Sequence, residues 1–117
     1  MDAKPPVDLD AFQRALAEAL EGLEHPKALA ALAFGEEAGE VQRCVLDAEG
    51  YGKDVRAELA SEVGDALVAL TEVAERHGLS IADCARAALE KVRRKAPQWR
   101  AEIGTRLVDL RRRMDGA

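Results

Sequence analysis

Apolar residues recur at helical spacing along most of the chain, and the interruptions fall at Pro and Gly. Leu9, Phe12, Leu16, Ala19 and Leu23 form a first stripe, and Asp8 ahead of it can cap a helix of about Leu9 to Leu23. Lys4-Pro5-Pro6 cannot continue a helix and reads as an extended lead-in. His25-Pro26 separates this element from a second helix of about Lys27 to Ala48, because Pro is tolerated at a helix start. Gly50-Tyr51-Gly52 breaks the pattern, and Asp54 can cap a third helix running to His77, with Gly78 as its stop. Ser80 and Asp83 resemble a capping box opening a fourth helix that ends near Lys95, ahead of Pro97; Trp99 to Met114 makes a fifth. No alternating run is long enough for a strand, and no internal repeat stands out. The pattern predicts an all-α, four- to five-helix antiparallel bundle forming one domain over residues 1–117, with its motif-bearing core at about 27–96.

Carboxylates interrupt two of these stripes. On the second helix, Leu29, Ala33, Glu37, Glu40 and Cys44 fall within one arc. On the third, Val55, Leu59, Glu62, Ala66, Ala69 and Val73 share an arc with Asp65 at its edge. Several ionised carboxylates held together repel one another and are costly to bury, so a cation that neutralises them explains the arrangement. Oxygen donors favour Mg2+ or Mn2+. The competing reading is a solvated acidic face, since 33% of the residues are charged, or interhelical salt bridges to Arg43, Lys53 or Arg56. Inward placement of both pairs favours the metal. Gly39 and Gly64, inside the two motifs, each cost about 1 kcal/mol relative to Ala, which implies close approach or open space beside them.

Net charge and cysteine usage narrow the partners. At −5, the chain is unsuited to broad electrostatic binding of a nucleic acid polymer or an anionic membrane. Cys44 and Cys84 show no metal-ligand or disulfide spacing and fit a reducing cytoplasm; Met1 to Pro6 does not look like a signal peptide, and no run approaches the roughly 20 apolar residues of a membrane helix.

At its acidic motifs the sequence resembles the MazG-like family of all-α nucleoside triphosphate pyrophosphohydrolases. The family pattern, EExxE followed by ExxD, stands here as Gly35-Glu36-Glu37-Ala38-Gly39-Glu40-Val41 and Ser61-Glu62-Val63-Gly64-Asp65-Ala66-Leu67, and the likeness spans about Ala28 to Lys95. The resemblance implies hydrolysis of nucleoside triphosphates to monophosphate and pyrophosphate, with Glu37, Glu40, Glu62 and Asp65 as Mg2+ ligands. It gives Glu36 a catalytic part, binding a second metal or orienting water. Lys91-Val92-Arg93-Arg94-Lys95 is similar to the family's basic segment, so Lys91, Arg94 and Lys95 are expected to hold the phosphate tail; the plainer reading is the ordinary preference for cations in a helix's last turn. Some relatives carry an Asn in this segment, and this chain does not.

Phosphoribosyl-ATP pyrophosphatase has a similar acidic pattern, but its second motif continues with a Tyr-His that is absent after Asp65-Ala66-Leu67. A non-catalytic helical interaction module is the alternative from another class. Ala-rich stripes on several helices, like the resemblance, point to a homodimer or homotetramer. Ile103, Leu107, Leu110 and Met114, read against an opposite face holding Arg106 and Arg113, suggest that the final helix docks on a neighbour. Trp99 is expected to be an anchor rather than a base-stacking platform.

Overall fold

The computed structural model describes residues 8–116. These residues form four helices and no strand: α1 (Leu9–Ala19), α2 (Lys27–Tyr51), α3 (Arg56–Arg76) and α4 (Ile81–Asp115). The all-α expectation holds, and none of the four helices is long and apolar enough to cross a membrane. The lead-in at Lys4-Pro5-Pro6 and the Met1 to Pro6 reading lie outside the described residues.

Local chemistry sets most boundaries. Asp8 caps α1 as expected, its carboxylate accepting the Asp10 N–H at 2.8 Å and the Ala11 N–H at 3.3 Å. α1 stops a turn earlier than its stripe suggests: Gly22 takes φ +84, and the Glu24 carboxylate captures the Gly22 N–H at 2.7 Å, which leaves Leu23 69% exposed beyond the helix. α2 continues through Gly50 and Tyr51 to a left-handed Gly52, whose N–H returns to the Ala48 carbonyl at 3.0 Å. Gly78 ends α3 in the same left-handed region; its N–H reaches the Glu75 carbonyl, and the Leu79 N–H reaches the Ala74 carbonyl at 2.9 Å.

The expected break at Pro97 is not observed. α4 runs through it as one 35-residue helix, so the fourth and fifth helices of the sequence reading are a single element. Pro there removes one N–H and crowds the carbonyl of Arg93, costing about 3 kcal/mol. Long stretches of good helix formers on both sides, Ala85 to Ala96 and Gln98 to Glu102, offset that local cost.

The chain divides into two compact units at Ala82 and Asp83. In the first, α3 packs against both α2 and α1. Cys44 Sγ lies 3.9 Å from the Val55 carbonyl, and Glu37 meets Glu62 seven residues back along α2 and seven onward along α3. Stepping backward on one helix while stepping forward on the other is the register of an antiparallel hairpin.

Its core is built of small side chains. Ala30, Cys44, Val55, Ala69, Ala74 and Ala82 are the buried apolar residues among those described. Ala30, rather than the expected Leu29, faces inward on α2, whereas Val55 and Ala69 fall where the α3 arc places them. Polar groups complete the α1 contact. Gln13, a buried amide in the apolar face of α1, donates to Glu75 Oε2 at 2.6 Å and to the Leu79 carbonyl at 2.9 Å, and accepts the Ile81 N–H at 2.8 Å. Glu72, only 7% exposed, accepts from the His25 backbone at 3.3 Å and pairs with His25 Nδ1 at 2.8 Å, tying the start of α2 to α3.

Candidate metal centre

Because α2 and α3 run antiparallel, the two acidic motifs face each other across the hairpin. Glu37, Glu62 and Asp65 each offer a carboxylate oxygen, and the three oxygens lie within 4.8 Å of one another. Glu37 and Glu62 are half-buried, whereas Asp65 is exposed at the edge of the arc. They open onto a groove of about 640 Å3 lined also by Gly35, Glu36, Gly39 and Glu40.

Within the groove, crowding of like charge is felt at Glu62. The Glu62 carboxyl is pushed above the ordinary carboxylate range, first by burial and then by the charges of Glu40, Asp65, Glu37 and Glu58. Burial and the neighbouring carboxylates act on Glu62 in the same direction, and a bound cation would offset both. Three oxygen donors from two rigid helices suit a hard divalent cation, and the donor set fits Mg2+ or Mn2+.

Glu40 differs from the other three. It pairs with Arg43 one turn along α2, an arrangement that raises the guanidinium further above its ordinary value through the hydrogen bond and charge of Glu40. This ion pair runs within one helix, so it does not act as a bridge between α2 and α3. Glu36 is exposed on the groove wall. Lys91, Arg94 and Lys95 stand exposed within one turn of each other on α4, in the second unit.

At Gly39 and Gly64 nothing beyond the adjacent residues and the helix's own backbone comes within 4 Å of where a Cβ would sit, so neither glycine serves a close helix approach. Gly39 borders the groove, and its missing side chain leaves that wall open. Cys44, 1% exposed beneath the acidic arc, has its thiol pushed up by burial and then by Glu58 and Glu62, which keeps it protonated. Gln13 and Glu72 escape the sequence pattern because the partners that satisfy them, Leu79 and Ile81 for Gln13 and His25 for Glu72, lie far away in the chain.

Residues 25–99 match the family model of the MazG nucleotide pyrophosphohydrolase domain. The chain belongs to this family. No curated protein and no solved structure matches it significantly.

Proposed function

We propose that this chain is a Mg2+-dependent hydrolase of nucleoside or deoxynucleoside triphosphates, yielding the monophosphate and pyrophosphate and serving to cleanse the nucleotide pool. The observation carrying the reading is the convergence of Glu37, Glu62 and Asp65 within a domain of this family.

In this reading Glu37, Glu62 and Asp65 hold the ion, with Glu40 as the fourth carboxylate, and Mn2+ can replace Mg2+. When bound, the ion offsets phosphate charge and acidifies the attacking water. Glu36, exposed on the groove wall, takes the proton from that water as its oxygen adds to the α-phosphorus. The α–β anhydride bond breaks, and pyrophosphate leaves. Lys91, Arg94 and Lys95 hold the phosphate tail, Arg94 as a bidentate fork and the lysines as point charges.

The chain works as a homodimer or homotetramer in the cytoplasm. Exposed Leu29, Leu32 and Leu46 on α2, and Leu67 and Leu70 on α3, support assembly; the free thiols Cys44 and Cys84 fit a reducing compartment.

The test is pyrophosphate release with and without Mg2+ across the canonical ribo- and deoxyribonucleoside triphosphates and phosphoribosyl-ATP. The Glu37→Gln/Glu62→Gln double variant is the control. Release from one or a few nucleotides, lost in the variant, is expected. Release only from phosphoribosyl-ATP would move the substrate to histidine biosynthesis, and no release from any would favour a non-catalytic module.

A further inference from the structure

Once α4 is seen to be a single helix, its apolar residues fall into an 11-residue repeat. Val92, Ile103 and Met114 are spaced eleven apart, as are Ala85, Ala96 and Leu107, and Ala88, Trp99 and Leu110. Eleven residues in three turns is 3.67 per turn, close to the pitch of a straight α-helix, so the stripe runs along one side of α4 without drifting around it. A stripe of this length suits a helix that pairs along its length with another helix. Much of it lies beyond residue 99, where the family match ends.

The distal stripe is exposed: Leu107 is 42% and Met114 76% accessible. Trp99, Ile103 and Leu107, with Arg100, Gly104 and Arg111 beside them, border a surface groove of about 530 Å3. On a continuous helix, Arg106 and Arg113 sit roughly 60 to 80 degrees from the centre of the stripe. They therefore flank it, where coiled-coil partners meet, and do not occupy the opposite face that the sequence reading gave them.

We infer that the distal half of α4, Trp99 to Asp115, pairs antiparallel with the same segment of a second copy of this chain, centred near Leu107. The flanking charges select this occupant and this direction. Within one chain Arg113 pairs with Asp109 at 2.9 Å and Glu102 accepts from Gln98 at 2.8 Å, exposed contacts that an interface can exchange; in that register Glu102 of one copy faces Arg113 of the other, Arg106 faces Asp109, and Arg100 faces Asp115, each contact occurring twice by symmetry. Parallel pairing along the whole helix would instead set the Lys91, Arg93, Arg94 and Lys95 clusters of the two copies side by side, which their like charge opposes. Antiparallel pairing of the distal halves leaves those clusters outside the seam. Gly104, opposite Arg111 in this register, gives that long side chain room.

The inference deepens the homo-oligomer reading and rests on it, but is independent of the catalytic one. Sedimentation equilibrium of the full-length chain tests it, with far-UV circular dichroism confirming that each variant is folded. Leu107→Glu/Leu110→Glu is expected to weaken one association step at least about a hundredfold, because charges from both copies are then buried at the centre of the seam. Glu102→Arg alone and Arg113→Glu alone each weaken that step about tenfold, and their combination restores it to within about threefold of wild type. Residues 102 and 113 are three turns apart on one helix, so no contact within a chain can produce that rescue. Unchanged assembly in the Leu107/Leu110 variant, or no rescue in the combined charge swap, overturns the α4 seam while leaving the homo-oligomer reading intact. A wild type that stays monomeric overturns both, and pyrophosphate release still judges the enzyme.

Discussion

Glu37 on α2 and Glu62 on α3 present carboxylate oxygens within 4.8 Å of each other, with Asp65 completing the trio. Because burial and its neighbours raise the Glu62 carboxyl, the fold binds that proton more tightly than the unfolded chain does. The favourable contribution of this group is complete below the ordinary carboxylate range and is lost as pH rises through the elevated folded value. Metal-free protein at neutral pH is therefore expected to be stabilised by Glu62→Gln and by added Mg2+. A site filled at a hundred times its dissociation constant contributes about 2.7 kcal/mol. Thermal unfolding with EDTA, with Mg2+, and in the variant measures both; a midpoint indifferent to Mg2+ would remove the metal centre.

Gln13 joins α1 to the end of α3 and the first residue of α4 through three hydrogen bonds, one of them to the Glu75 carboxylate. Gln13→Leu keeps the size but leaves the Leu79 carbonyl, the Ile81 N–H and Glu75 without this partner. Each neutral loss costs roughly 1 kcal/mol and the charged one more, so a destabilisation of about 2–4 kcal/mol is expected. Urea unfolding should show the midpoint falling at unchanged slope.

The glycines of the two acidic motifs separate stability from turnover. Since no other helix and no side chain beyond the adjacent residues lies within 4 Å of an added Cβ, Gly39→Ala and Gly64→Ala should each stabilise the protein by about 0.5–1 kcal/mol through reduced backbone entropy. Gly39→Ala also places a methyl at the groove wall and is expected to slow hydrolysis, with the larger effect on KM if the space belongs to substrate. Chemical denaturation and steady-state kinetics on the same preparations distinguish the two.

Pro97 lies inside α4 and costs it a hydrogen bond to Arg93. Pro97→Ala restores the N–H, and α4 should gain up to about 3 kcal/mol of helix stability. The check is helical ellipticity through a thermal ramp: a variant that melts no later than wild type would mean that the helix is interrupted there in solution.

Local chemistry explains what could be read from the residues. Asp8, Pro26 and Gly78 act through their own dihedrals and hydrogen bonds, so the starts of α1 and α2 and the end of α3 were legible, whereas α2 runs past its expected end at Ala48 through Gly50 to Tyr51, stopping at the left-handed Gly52. The α3 arc was legible because Val55, Leu59, Glu62 and Ala69 repeat at the helical period. Pro97 misled because a local penalty was outweighed by the propensity of the residues on both sides. Gln13 and Glu72 were invisible because a buried polar side chain is explained only by its partners, and Ile81 and His25 stand 68 and 47 residues away in the chain. At the acidic groove, the facing of Glu37, Glu62 and Asp65 followed from spacing plus antiparallel packing. The Arg43 grip on Glu40 did not, since an i,i+3 pair competes on nearly equal terms with solvent.

The alanine-rich interior has a consequence for how this protein should be handled. Where the buried apolar residues are mostly alanine and leucines such as Leu32 and Leu46 remain outside, an isolated copy has little hydrophobic area with which to offset its chain entropy. In the proposed homo-oligomer, folding is governed by mass action as much as by sequence. The melting temperature should climb as the sample is concentrated and fall on dilution, so that a protein sound at millimolar strength unravels at the nanomolar strength of a sensitive assay.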